Sequence, residues 1–125
     1  MGPTPTYIAV IDDDESFCRS TERLLRAARY QPVVYSSAES FLADSKHPRF
    51  EVLLIDIALG GISGLELGRR LSAIGSAVPV IYVTSHDSMQ TRAEAQATGC
   101  AGFVNKTEPA SHLLQVIAKA IESLH

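Results

Sequence analysis

The chain has no tryptophan, only two cysteines, and no apolar run approaching the ~18 residues a membrane-spanning helix needs. Its start lacks the charged and then apolar pattern of a secretion signal, so a soluble, cytoplasmic protein that does not engage a membrane is expected. Positive charge is also short: 11 Lys and Arg against 14 Asp and Glu give a net charge of −3. That leaves no basic face, and nucleic-acid binding by this domain itself is not expected. Cys18 and Cys100 lie far apart, with neither CxxC spacing nor an accompanying histidine. They read as reduced, partly buried thiols, not as a disulfide or a metal pair. His47, His86, His112 and His125 show no ligand spacing with acids or cysteines. There is no GxxxxGK[ST], which excludes a P-loop, and no GxGxxG opens the first strand–helix turn.

What is present is an ordinary globular composition, 46% hydrophobic and 20% charged over 125 residues, enough for one domain with a real core. A single domain over 1–125 is expected, ordered from about 7 to 124 after the polar, proline-containing lead-in Met1–Thr6. The stretch Val52-Leu53-Leu54-Ile55 runs straight into Asp56 and then a glycine-rich turn, Gly60-Gly61. A short continuous apolar run with a β-branched residue at each end reads as a strand buried on both faces of a parallel sheet. Tyr7 to Ile11 is a second such strand, ending in Asp12-Asp13-Asp14-Glu15.

The remaining chain repeats the theme. Ser16 opens a helical pattern with Phe17, Thr21, Leu24, Leu25 and Ala28 on one face, and Asp14 and Glu15 read as solvated acids ahead of it. Gln31–Tyr35 is a strand whose Pro32 suits a sheet edge, and Ser37 caps a short helix through Leu42. A helix is predicted over Ser63–Ser72, with Gly68 inside it costing about 1 kcal/mol relative to alanine. Val78–Val83 is a strand, Ser88–Thr98 a helix with little large apolar surface, and Gly99 its terminator. Gly102–Asn105 is a short strand ending in Lys106. Pro109 falls in the first turn of a last helix whose core face is Leu113, Ile117, Ala120, Ile121 and Leu124. Strand–helix alternation with short connections predicts an α/β fold with a doubly wound, five-stranded parallel sheet.

Asp12, Asp13, Asp56, Thr84 and Lys106 all fall at carboxyl ends of strands. In a flavodoxin-like strand order 2-1-3-4-5, those ends share one rim, beside the switch point between strands one and three. Clustered carboxylates repel unless a hard cation joins them, and oxygen-only ligation suits Mg²⁺. A lysine and a hydroxyl beside such a cluster match the needs of phosphoryl transfer, and a carboxylate can itself be the nucleophile. An aspartate-based phosphohydrolase would place a second acid two residues after its nucleophile, where this chain has Ala58.

Taken in order, Ile11-Asp12-Asp13-Asp14, Asp56, Gly64, Val83-Thr84-Ser85 and Phe103-Val104-Asn105-Lys106 resemble the receiver domain of two-component response regulators, over about Tyr7 to Leu124. The resemblance implies a phosphoryl-accepting switch in a phosphorelay, not an enzyme turning over a free substrate. Asp56 would accept phosphate from a sensor histidine kinase or phosphotransfer protein. Mg²⁺ (or Mn²⁺) would be held by Asp13 directly, Asp12 through water, Asp56 and the Ala58 backbone carbonyl. Thr84 and Lys106 would contact phosphoryl oxygens, and Thr84 and Phe103 would form the switch. The output would move the face of the fourth helix, fifth strand and last helix, through which a homodimer could form. Rival readings are a Mg²⁺-dependent phosphatase of related fold and a non-phosphorylated receiver-fold interaction module.

Two departures from the family pattern stand out. Leu59-Gly60-Gly61 replaces a loop that usually reads Met-Pro-Gly, which puts loop rigidity in question. Thr107 replaces the proline after the lysine. A trans Lys106–Thr107 bond is expected there, because cis before a non-proline residue costs roughly 2.5–4 kcal/mol, with the amine reaching the acids through its flexible stem.

Overall fold

A computed structural model describes residues 4–124; the first three residues of the lead-in, and His125, lie outside the described residues. The chain alternates β1 (Tyr7–Ile11), α1 (Glu15–Ala27), β2 (Gln31–Tyr35), α2 (Ala38–Ala43), β3 (Phe50–Asp56), α3 (Gly64–Ala73), β4 (Val80–Thr84), α4 (Met89–Ala97), β5 (Gly102–Asn105) and α5 (Ala110–Glu122). The strands form one parallel sheet in the order β2-β1-β3-β4-β5, as expected. Pro32 lies on the edge strand, where a missing ladder donor is tolerated.

Because successive strand residues point to opposite faces, the uninterrupted apolar runs feed two cores. Ala9, Ile11, Leu53, Ile55 and Tyr82 pack with Phe41 of α2, Leu67 and Leu71 of α3, and Ala95 of α4. Ile8, Val10, Val52, Leu54, Ile81 and Val83 pack with Cys18 and Leu25 of α1 and with Leu113, Ile117 and Ala120 of α5. Among the described residues no helix is long and apolar enough to cross a membrane.

Side-chain caps set most helix starts. Asp14, Ser37, Ser63 and Ser88 each accept from the backbone N–H three residues on. Helix α1 therefore begins at Glu15 rather than Ser16, and Asp14 is its cap rather than a purely solvated acid. Pro109 stands at the cap of α5, its ψ of 145° holding it outside the first turn in which it was expected. Leu124 falls beyond the end of α5 and is 44% exposed, so it leaves the predicted core face; Ile121 is half-buried. Strand β3 extends past 52–55 because Phe50 pairs with Tyr7 and Asp56 with Val83. Both thiols are free, Cys18 buried and Cys100 half-buried.

Candidate functional site

The parallel order brings the carboxyl ends of β1, β3, β4 and β5 to one rim, where the acids gather. Asp56 is the last residue of β3 and only 5% exposed; Asp12 follows β1 and is 2% exposed. Asp13 beside it is exposed. One carboxylate oxygen from each of Asp12, Asp13 and Asp56 lies within 4.8 Å of the others. At that spacing each like-charged pair repels by on the order of a few kcal/mol at an effective dielectric near 20.

Lys106 partly relieves the repulsion. Its Nζ lies 2.8 Å from Asp12 Oδ2 and 3.5 Å from Asp56 Oδ2. The stem is aimed by the Lys106 amide, which donates to Thr84 O at 2.7 Å, and by Phe17, whose ring centroid is 4.5 Å from the ammonium. No cis peptide bond occurs among the described residues, so the Lys106–Thr107 bond is trans and the amine still reaches both acids.

Burial pushes the Asp12 carboxyl up to about 6, with the Asp56 charge adding to the rise and the Lys106 and Asp14 hydrogen bonds opposing it. Burial works against the Lys106 ammonium, yet the hydrogen bond to Asp12 and the charges of both acids outweigh it and hold its pKa above the ordinary value. Beneath them, Cys18 donates to Asp12 O at 3.4 Å, and burial raises its thiol to about 11, leaving it unreactive at neutral pH.

One ammonium cannot balance three carboxylates. Asp12 Oδ2 is buried, and its close partner is that ammonium, which it shares with Asp56. Three carboxylates converging around one ammonium present an all-oxygen donor set that fits a hard divalent cation.

Other expected residues stand differently. Thr84 closes β4, 1% exposed, but its hydroxyl is turned onto the next loop, donating to His86 O at 3.1 Å and accepting from His86 N at 3.0 Å. At Ala58 the contact formed is through the amide, which donates to Asp56 Oδ1 at 3.1 Å. Phe103 is half-buried on β5 beneath the Arg92 guanidinium, 4.6 Å from its ring centroid. Asp87 grips that guanidinium with both oxygens, at 2.8 and 2.7 Å. Sequence reasoning missed the Asp87–Arg92 pair, Phe17 beside the lysine and Glu39 beside the loop after Asp56; none carries a local signal separating it from other surface or core residues. His112 also has an acidic partner that the sequence reading passed over, Glu108 four residues before it, at 3.0 Å.

A family model described as "Response regulator receiver domain" matches residues 8–118. The transcriptional regulatory protein ZraR of Escherichia coli is 28% identical over 94% of this chain, and nodulation protein W of Bradyrhizobium diazoefficiens 28% over 95%. The chain spans only 27% and 52% of those two relatives. Among solved structures, FixJ-N superposes with a TM-score of 0.85 at 28% identity, covering 96% of both chains. A receiver domain protein from Methanospirillum hungatei reaches 0.88 at 23% identity and 96% coverage of both, a likeness of fold alone.

Proposed function

The chain belongs to the response regulator receiver domain family, whose members are phosphoryl-accepting signalling switches, and from that premise we propose that Asp56 is its acceptor. Receiver domains of response regulators are phosphorylated by histidine kinases; the partner proposed here is a sensor kinase or a phosphotransfer protein. The observation that carries the reading is the convergence of Asp12, Asp13, Asp56 and Lys106 at the carboxyl ends of the strands.

In the proposed reaction a carboxylate oxygen of Asp56 attacks the phosphorus of a phosphohistidine. A P–O bond forms as the P–N bond breaks, and the leaving imidazole takes up a proton. Asp12, Asp13 and Asp56, with the Ala58 carbonyl, would hold Mg²⁺ or Mn²⁺, which when bound neutralises charge on the transferring group. Lys106 supplies a fixed positive charge at the phosphoryl oxygens. Thr84 must give up the hydrogen bond it donates to His86 O before its hydroxyl can donate to a phosphoryl oxygen, which ties occupancy of the site to the loop leading into α4. Phe103 and the α4–β5–α5 face would carry the change outward, and a homodimer through that face is one output it would support. The stretch from about 7 to 124 acts as a single receiver domain in this reading.

A turnover phosphatase is disfavoured by Ala58, and a non-phosphorylated module by the retained acids and lysine. With Mg²⁺ and acetyl phosphate, intact-mass measurement should show one phosphoryl group per chain. Asp56→Asn should abolish it, and Asp13→Ala should slow it by at least about tenfold, as loss of a charged ligand implies. Full modification in the presence of a chelator would sink the mechanism.

A further inference from the structure

We infer that Glu39 is a positioning residue for the phosphoryl site, its carboxylate reaching from α2 to hold the glycine-rich loop between Asp56 and α3. The inference rests on the reading of Asp56 as acceptor.

The loop is well fixed at both ends. The Ile57 amide donates to Val83 O at 3.1 Å, the Gly64 amide to Ile57 O at 3.1 Å, and Leu59 is buried in the core. Its crest has much less to hold it. Gly60 and Gly61 follow one another, Gly61 in the left-handed region at φ 68°, and no proline restrains them.

The hydrogen bond at the crest comes from outside the loop: Ile62 N donates to Glu39 Oε2 at 3.2 Å. The same oxygen lies so close to Gly61 that a Cβ there would overlap it. Gly61 therefore serves twice, adopting the turn and admitting the carboxylate. Glu39 is in turn placed by the first turn of α2, where Ser37 and Ser40 form a reciprocal cap and Ala38 and Phe41 are buried. A contact 23 residues away in sequence thus supplies part of the restraint that a proline would build into the loop itself.

Amide hydrogen exchange and Mg²⁺ titration, both followed by NMR on the whole chain, test this. Glu39→Ala should speed exchange of the Ile62 amide and weaken Mg²⁺ binding, each by about fivefold, on the scale of one hydrogen bond. Amides of α5 should not change. Glu39→Gln, which keeps an acceptor oxygen without the charge, should recover most of both effects. Wild-type exchange and Mg²⁺ affinity in the alanine variant would overturn the inference. A glutamine variant as impaired as alanine would also overturn it, by assigning the effect to charge. If wild-type protein takes no phosphate at Asp56, the acceptor reading fails, while the exchange comparison still decides the role of Glu39.

Discussion

Tyr35 donates its hydroxyl proton to Asp44 Oδ2 at 2.6 Å, a bond from the edge strand to the end of α2. That hydrogen bond holds the Asp44 carboxyl below the ordinary carboxylate value, while burial raises the tyrosine. A carboxyl whose pKa is depressed by folding binds protons more readily in the unfolded chain. Its contribution is therefore complete above about pH 5 and is lost as pH falls from about 4 through the folded pKa. Asp44→Asn should lower stability at neutral pH, and the two denaturation-derived stability curves should converge at a pH below the folded pKa of Asp44. Parallel curves down to that pH would show that Asp44 contributes nothing through its charge. Such pairings are illegible in the sequence because their partners meet only after folding. Gly68 makes the same point: its cost in a helix is legible, its reason is not. A Cβ there would overlap the Tyr82 hydroxyl, which is hydrogen bonded to Thr98 at 2.7 Å and so ties β4 to the end of α4 past the surface of α3. The acids and lysine are legible because each ends an apolar strand, whereas Glu39 stands in the first turn of α2, where an acid is ordinary and marks nothing.

At the scale of elements, α4 differs from the rest. Of its nine residues only Ala95 is buried, whereas α5 buries Leu113, Ile117 and Ala120. Polar and charged contacts take over: the Asp87–Arg92 fork, Arg92 over Phe103, and Tyr82 to Thr98. The Asp87–Arg92 pair is screened by solvent and Tyr82 to Thr98 is a single part-buried hydrogen bond, so α4 is held more weakly than a helix with three buried core residues. Its amides should exchange faster than those of α5, and Arg92→Ala should speed them further without affecting α5. Beryllofluoride, as a phosphoryl mimic, should change protection in α4; equal and unresponsive protection in both helices would argue against α4 as the moving part. The poverty of large apolar residues over 88–98 makes this weakness legible in the sequence. The contacts of Arg92 with Phe103 and of Tyr82 with Thr98 are not, because each joins residues of different elements. Strand order is legible from alternation, while boundaries shift wherever a cap or a pairing partner, such as Asp14 or Phe50, decides them.

For the whole molecule, the acidic rim sets a conflict between stability and function. Two closely packed apolar cores support a sheet whose carboxyl-end rim crowds Asp12, Asp13 and Asp56 around one lysine. Asp13 is the exposed member, so neutralising it removes repulsion without leaving a buried group unpaired. In chelator, Asp13→Asn should therefore melt higher than wild type, by a few degrees for a gain of about 0.5–1 kcal/mol in a domain of this size. Added Mg²⁺ binds only the folded cluster and stabilises by mass action, by about 2.7 kcal/mol at 100 times its dissociation constant. Wild type should then gain several degrees and the variant much less, reversing their order. Calorimetry with and without Mg²⁺ reads both effects in one pair of proteins. If the variant melts below wild type in chelator, the three carboxylates are not in conflict. If both proteins gain equally from Mg²⁺, Asp13 does not help to bind it, and the proposed ligand set fails at its most accessible member.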